Sequence, residues 1–143
     1  MSYTYRYPRP ALTVDAMVFR KTRYGWQILL IKRKNEPFKN KWALPGGFVD
    51  MHETLEEAVS RELKEETGLE DIILKQYHAF SDPERDPRGR TVSVVFYGFV
   101  KGDSHVKGYD DAAEAKWHNL NQLPGLAFDH HHIIRKAIDD LNL

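Results

Sequence analysis

One helix, predicted between Thr54 and Gly68, constrains this chain more than any other feature. Thr54 is a favoured N-cap residue, and Glu57 completes a capping box in which each side chain binds the other residue's backbone N–H. Gly68 can take the left-handed conformation at which many helices end. Because both ends carry their own local signals, the helix is predicted independently of the rest of the chain.

The core-facing stripe of this helix becomes acidic in its second half. At about 100° per residue, one face carries Leu55, Ala58, Val59, Glu62, Leu63, Glu66 and Leu69, with Glu65 at its edge. Like charges roughly 4 Å apart repel by about 4 kcal/mol per pair at an effective dielectric of about 20. Bound Mg²⁺ or Mn²⁺ would offset that repulsion, because both ions prefer oxygen ligands and often hold substrate phosphates as well. A solvated glutamate-rich face is the alternative, and the position of Glu62 and Glu66 on the apolar stripe favours the metal site.

Strand patterns lie on both sides of this helix. Alternating or continuous apolar runs predict strands over 12–19, 28–31, 72–80, 91–100 and 114–120. A last helix is predicted after Asp129, which is expected to cap it. We therefore expect an α/β protein of the α+β type, with a mixed sheet packed between two helices.

The composition excludes several classes of protein. The 143 residues, 41% of them hydrophobic, suit a single domain over 1–143, with 1–10 as an N-terminal extension. The 21 basic and 21 acidic residues cancel, so neither nucleic acid nor a membrane surface is expected as a partner. The lack of Cys excludes thiol nucleophiles and favours a reducing compartment. No apolar run approaches the roughly 18–20 residues of a membrane span, and no secretory signal is visible, so we predict a cytoplasmic protein.

The residues around the first helix match a family signature. Gly47, Glu53 and the run Arg-Glu-Leu-Lys-Glu-Glu-Thr-Gly-Leu over 61–69 fill every fixed position of the Nudix box. Agreement at nine specified positions is expected by chance on the order of once in 10⁹ starting points. The chain therefore resembles a Nudix hydrolase over most of its length. That resemblance implies an α/β/α sandwich that hydrolyses a nucleoside diphosphate linked to another moiety.

The resemblance also implies a metal site. The implied ligands are Glu62, Glu65, Glu66 and the carbonyl of Gly46. Glu53 and Arg61 would form an ion pair that fixes the preceding loop against the helix. Two or three Mg²⁺ or Mn²⁺ ions would bridge the diphosphate and lower the pKa of a water that attacks phosphorus. Positioning and charge neutralisation then suffice, and no covalent nucleophile is needed.

Two further segments resemble the ADP-ribose pyrophosphatase branch of the family, namely 81–93 and 126–130. Its members convert ADP-ribose to AMP and ribose 5-phosphate. In the first segment, planar guanidinium groups can contact phosphate oxygens from Arg85, Arg88 and Arg90. The alternative is a solvated loop in which these arginines pair with the neighbouring acidic side chains, Asp82, Glu84 and Asp86. In the second segment, Phe128 can either stack on adenine or pack into the core ahead of the helix.

The three consecutive histidines are not expected to form a metal site. Successive helical residues point about 100° apart and cannot converge on one ion. His130 lies on the apolar stripe of the last helix, where it would pack in the core or line a pocket. His131 and His132 are predicted to be exposed.

The general base is the least determined role. In this family its position varies, and an acidic loop before a late strand often supplies it. Here that loop offers Glu114 first and Asp111 second. Glu62 or Glu66 can also serve.

Three functions stay open at this point. The first is a metal-dependent hydrolase whose substrate is a nucleotide sugar, ADP-ribose. The second is a pyrophosphatase of damaged or excess nucleoside triphosphates, which uses the same box with a different base pocket. The third is a sensor that binds a sugar nucleotide without cleaving it, although such regulators usually have a degraded box and an added DNA-binding domain. Family members are often dimers, so the resemblance also implies a homodimer.

Overall fold

The computed structural model describes residues 2–101 and 112–143, and within them the chain forms one mixed sheet with a helix on each face. The strands are β1 (Ala11–Thr22), β2 (Gly25–Arg33), β3 (Trp42–Ala43), β4 (Gly46–Phe48), β5 (Lys75–Phe80), β6 (Thr91–Val100) and β7 (Ala112–Asn119). The helices are α1 (Leu55–Thr67) and α2 (His130–Leu141). The expected α+β architecture is confirmed.

The centre of the sheet is the parallel pair β1 and β6, which align from Ala11 opposite Thr91 to Arg20 opposite Val100. The other pairings are antiparallel, so the sheet is mixed, as predicted. The strand order is β3-β2-β1-β6-β5, with β4 paired to β1 and β7 paired to β2.

Strand β1 separates two hydrophobic clusters, because its successive side chains point to opposite faces of the sheet. Met17 and Phe19 belong to the cluster that includes Ile133 of α2. Val14, Ala16 and Val18 belong to the cluster that includes Leu63 of α1. The period-2 pattern of β1 therefore supplies both halves of the core.

Helix α1 has the predicted ends. Thr54 and Glu57 make both capping-box hydrogen bonds, and Gly68 takes the left-handed conformation at φ 81°. Helix α2 differs from the prediction at its start. Asp129 occupies the N-cap position but makes no side-chain capping bond, because its carboxylate binds Arg85 instead.

Strand β5 is shorter than the predicted 72–80. Its ladder to β6 begins only at Lys75, opposite Tyr97. The residues before Lys75 pass Gly98, the residue of β6 that follows Tyr97. There the Ile73 carbonyl lies 2.6 Å from the position that a Cβ on Gly98 would occupy. The chain leaves the ladder there because Ile72 and Leu74 pack into the cluster under α1.

No helix in the described ranges is long and apolar enough to span a bilayer. Trp42 and Trp117 pack against the two hydrophobic clusters, one against each.

Candidate active site

A cavity of about 470 Å³ opens where β1 and β4 meet the start of α2. Its acidic lining residues include Asp15, Glu62, Glu66 and Asp86. Its other lining residues include Gly46, Gly47, Phe48, Arg33, Arg85, Arg88, Phe128 and His130. The cavity thus has an acidic floor, formed by Asp15, Glu62 and Glu66, and a wall of aromatic and basic side chains.

The acidic floor is built against the backbone of two glycines. Glu66 is only 5% exposed, and its Oε1 accepts the Gly46 N–H at 2.8 Å. A Cβ on Gly47 would lie 2.6 Å from Glu62 Oε1, and a Cβ on Gly46 would collide with the Asp15 carboxylate and the Val14 carbonyl. Only glycine therefore allows the three carboxylates to come this close to the chain.

The buried carboxylates of the floor create an environment that a bound cation would stabilise. Burial raises the pKa of Glu66 to about 9, and the negative charges of Glu62 and Asp15 add to this effect. Burial also raises the pKa of Glu62, against the opposing effect of Arg61. Without a cation, these carboxylates are stabilised by holding protons. A divalent ion would replace those protons, and a donor set made only of oxygen suits Mg²⁺ or Mn²⁺.

The carboxylates are near one another but are not arranged as a finished ligand cage. Among the described residues, no three acidic or histidine side chains form a cluster that could already hold a metal ion. The residues fit such an ion in their chemistry, burial and charge, and binding has to draw their oxygens together.

Arg61 connects the loop before α1 to the acidic face of the helix. The predicted pair with Glu53 is present, with Nη2 2.6 Å from Oε1 and Nε 2.9 Å from Oε2. The hydrogen bonds from Arg61 hold the pKa of Glu53 at about 2. The same guanidinium contacts Glu62 at 2.9 Å and Glu65 at 3.2 Å. Glu65 is exposed, contacts Arg61 and is not among the described residues that line the cavity.

The three arginines of 81–93 have different surroundings. Arg85 is buried, and its guanidinium makes two hydrogen bonds to Asp129, at 2.9 and 2.7 Å. Arg88 binds the buried Asp86 with Nε and Nη2. Arg90 is exposed, donates to the Ser81 carbonyl at 2.6 Å and does not line the cavity.

The faces of the Arg88 guanidinium also have partners. Its central carbon lies 4.9 Å from the ring centroid of Phe48 and 5.1 Å from that of Phe128. Asp86 therefore binds the edge of this guanidinium, and aromatic rings lie near its faces. Arg85 and Arg88 thus form part of the cavity wall. Both are paired with acidic side chains, as in the second of the two predicted arrangements. The partner of Arg85, however, is the distant Asp129 rather than a neighbour in the loop.

Phe128 lies in the cavity wall and has an unusual backbone. Its φ of 52° is positive, which is costly for a residue with a large side chain, and such strain often marks a functional site. The ring is half-buried and meets Phe38 edge-to-face, with centroids 4.9 Å apart. It therefore packs on one side and faces the cavity on another.

His130 is both a core and a cavity residue, as expected, while His131 and His132 are exposed. The His130 side chain is 4% exposed, and its Nδ1 accepts the Leu44 N–H at 3.0 Å. Burial lowers the pKa of this imidazole, although the carboxylate of Asp15 opposes that effect.

Of the two general bases predicted from the acidic loop, Glu114 is not among the described residues that line the cavity. Glu114 is an exposed residue of β7, paired in the ladder with Lys32. Asp111 lies outside the described residues.

Several cavity residues were not singled out from the sequence. Asp15 is a single acidic residue within an otherwise apolar strand, a signal that could have found it. Phe48 carries no comparable signal, and from the sequence Asp86 is predicted only as a partner of the neighbouring arginines. Arg33, the last residue of β2, and the loop residues Lys34, Asn35 and Glu36 also line the cavity. Their role depends on how the β2–β3 connection folds over the sheet.

The comparisons agree with this geometry. A model of the NUDIX domain matches residues 9–141. The chain is 51% identical to an ADP-ribose pyrophosphatase of Methanocaldococcus jannaschii, over 90% of this chain and 73% of the relative. It is 37% identical to the ADPR responsive transcriptional repressor NtrR of Acinetobacter baylyi, over 95% of this chain but only 56% of the repressor.

A solved structure shows the same fold. The NUDIX domain of Shewanella oneidensis NrtR, crystallised with ADP ribose, superposes with a TM-score of 0.88 at 32% identity, covering 94% of this chain and 90% of that one. The family model matches nearly the whole chain, and the sheet and the first helix are arranged around the Gly46–Gly47 backbone. This protein therefore belongs to the Nudix family.

Proposed function

We propose that this protein is a metal-dependent hydrolase that cleaves ADP-ribose to AMP and ribose 5-phosphate. The observation that carries the proposal is the buried acidic floor, where Glu62 and Glu66 face the Gly46–Gly47 backbone inside a cavity walled by Phe128. The 51% identity to an ADP-ribose pyrophosphatase supports the choice of substrate.

The proposed ion-binding residues are Glu62, Glu66 and the Gly46 carbonyl, joined by Glu65 when it turns from Arg61. When bound, Mg²⁺ or Mn²⁺ would neutralise the diphosphate and make the attacking water more acidic. Arg61 and Glu53 hold the loop before α1 in place, so that the acidic face of the helix stays aligned with the cavity. This pair acts through position and does not touch the substrate.

The proton acceptor is proposed to be a carboxylate of the floor, Glu62 or Glu66. A general base has to come within hydrogen-bond reach of the attacking water, directly or through one other water. Glu114 is exposed on β7 and is not part of the cavity lining. The floor carboxylates therefore meet the geometric requirement better than this predicted loop residue.

The substrate's adenine is proposed to stack on the cavity face of Phe128. Stacking between a nucleobase and an aromatic ring contributes about 1–3 kcal/mol. Arg85 and Arg88 are proposed to shape the wall beside the diphosphate while their own carboxylate partners hold them in place.

The test is a Mg²⁺ assay of the purified protein with ADP-ribose, NADH, diadenosine polyphosphates and deoxynucleoside triphosphates, with every product identified by mass spectrometry. We expect kcat/KM for ADP-ribose to exceed that for any triphosphate by at least tenfold. A tenfold preference for a triphosphate would contradict the proposal. Hydrolysis in ¹⁸O-labelled water would show which phosphorus is attacked, because the label appears in either AMP or ribose 5-phosphate.

A second candidate is ADP-ribose binding without hydrolysis, which the similarity to the Acinetobacter baylyi repressor supports. The intact acidic floor favours catalysis. Tight binding of ADP-ribose in the presence of Mg²⁺, with no product after prolonged incubation, would favour this candidate instead.

The preferred ion, cellular location and assembly complete the proposal. We take Mg²⁺ as the usual ion, a cytoplasmic location in keeping with the cysteine-free composition, and a homodimer. Light scattering of the purified protein tests the last point, since a mass close to 16.7 kDa would contradict dimer formation.

A further inference from the structure

His130 makes a hydrogen bond that links helix α2 to the loop carrying Gly46. Its Nδ1 accepts the Leu44 N–H at 3.0 Å, inside the protein. Since Nδ1 is the acceptor, the ring proton of the neutral imidazole sits on Nε2. That nitrogen lies 3.8 Å from Asp15 Oδ1, on the side of the acidic floor.

The short loop held by this bond lies between two paired strands, and its Leu44 side chain is buried in the core. Leu44 and Pro45 connect β3 to β4, and Pro45 has no N–H to donate. The two amide groups on either side of Pro45 both bind side chains, Leu44 to His130 and Gly46 to Glu66. The Pro45 carbonyl accepts the Ala16 N–H at 2.8 Å. His130 is thus one of two side chains that clamp the short segment from which Gly46 faces the cavity.

The choice of histidine has an electrostatic reason. A buried amide N–H without an acceptor costs about 1–3 kcal/mol, so Leu44 needs a partner. A carboxylate at this place would add a further negative charge beside Asp15, close to Glu66. A neutral imidazole supplies the acceptor without adding charge, and its other nitrogen turns a proton toward Asp15.

We propose that His130 is a positioning residue for the ion site: by holding the Leu44 amide, it places the Gly46 backbone and, through the Gly46–Glu66 hydrogen bond, the Glu66 carboxylate. The proposal rests on the metal-dependent function given above. His130 contacts neither the ion nor the substrate in this role. Groups that orient metal ligands typically change metal affinity or activity 10- to 100-fold when they are removed.

The first test measures Mn²⁺ binding by calorimetry, without substrate, in matched variants. H130F keeps an aromatic ring but removes the acceptor, whereas H130N keeps an acceptor, because Asn Oδ1 branches from Cγ as Nδ1 does. We expect Mn²⁺ affinity to fall at least tenfold in H130F and to stay within threefold of wild type in H130N. H131F, at an exposed neighbouring position, is the control and should match wild type.

Activity adds a second measurement. H130F should lower kcat at fixed Mg²⁺ while the KM for ADP-ribose changes less than threefold, and excess Mg²⁺ should recover part of the loss. Wild-type Mn²⁺ affinity in H130F would overturn the proposal. Equal losses in H130F and H130N would also overturn it, because they would show that only packing matters.

A measurement on the unmodified protein covers the case in which H130F does not fold. In ¹⁵N-labelled protein, a scalar coupling across the hydrogen bond should connect the Leu44 amide nitrogen with His130 Nδ1. The coupling together with near-normal Mn²⁺ affinity in H130N supports the proposal, and the absence of either overturns it.

The two proposals fail in different ways. If wild type binds Mn²⁺ but does not hydrolyse ADP-ribose, and H130F binds Mn²⁺ at least tenfold more weakly, the proposed function fails while the role of His130 in ion binding stands. If wild type hydrolyses ADP-ribose and H130F binds Mn²⁺ normally, only the role of His130 fails.

Discussion

Replacing Glu66 with glutamine should stabilise the metal-free protein and at the same time disable it. Glu66 is 5% exposed, and burial together with two neighbouring carboxylates raises its pKa to about 9 from a reference value of 4.5. The substitution removes the charge but keeps an oxygen that can accept the Gly46 N–H. Stability and activity are therefore expected to change in opposite directions.

The sign of the pH dependence follows from the raised pKa. Below the unfolded-state value, Glu66 is protonated in both states and its burial costs little. As the pH rises toward 9, the unfolded state ionises first, so the wild type loses stability that E66Q does not lose. Each unit of pKa difference corresponds to about 1.4 kcal/mol, which makes the expected advantage of E66Q less than about 1 kcal/mol at pH 5 and about 3 kcal/mol at pH 7.

The assay is thermal and urea unfolding of both proteins in EDTA between pH 5 and pH 8. An advantage of about 3 kcal/mol corresponds to roughly 10 °C in Tm for a domain of this length. E65Q is the matched control, because Glu65 is exposed and its ion pair with Arg61 lies at the surface, where such pairs contribute little. In Mg²⁺, E66Q should lose several orders of magnitude in kcat.

Two results would refute this reasoning. If E66Q were no more stable than wild type at pH 7 in EDTA, with a difference that does not vary with pH, the floor would not disfavour the charged form of Glu66. If its turnover in Mg²⁺ were unchanged, Glu66 would not be an ion ligand.

Three further predictions follow from the site. E53Q should be less stable than wild type at pH 7, and this difference should disappear as the pH falls from 4.5 toward 2. The depressed pKa of Glu53 favours the folded state only while the carboxylate is charged. Acid titration of both proteins, followed by circular dichroism, measures the difference. F128L should raise the KM for ADP-ribose about tenfold with kcat within threefold, whereas F99L, at a partly exposed ring outside the cavity, should change neither; steady-state kinetics distinguishes the two variants. E114Q should keep kcat within about threefold of wild type between pH 6 and pH 9, and a large loss that shrinks as the pH falls and the wild-type carboxylate becomes protonated would restore Glu114 as the general base.

The sequence alone determined helix α1, its inward-facing glutamates and the pair between Glu53 and Arg61. Capping signals and helical periodicity are enough to predict the helix and its acidic face. The pair, whose members are eight residues apart, was implied by the family resemblance and is present in the structure. The mixed sheet between two helices was predicted from the strand patterns on both sides of α1 together with the single further helix at the end of the chain.

The tertiary structure alone decided which side chains meet across the cavity. Arg85 binds Asp129, 44 positions away, and His130 binds Leu44, 86 positions away. No local signal marks such pairs, because any buried charge or amide needs a partner and several were available in the sequence. The same holds for Glu65, which helical projection placed at the edge of the acidic stripe but which turns outward to Arg61. Partner choice at these positions depends on which segments the sheet brings within hydrogen-bond distance, and that is settled only when the whole chain is folded.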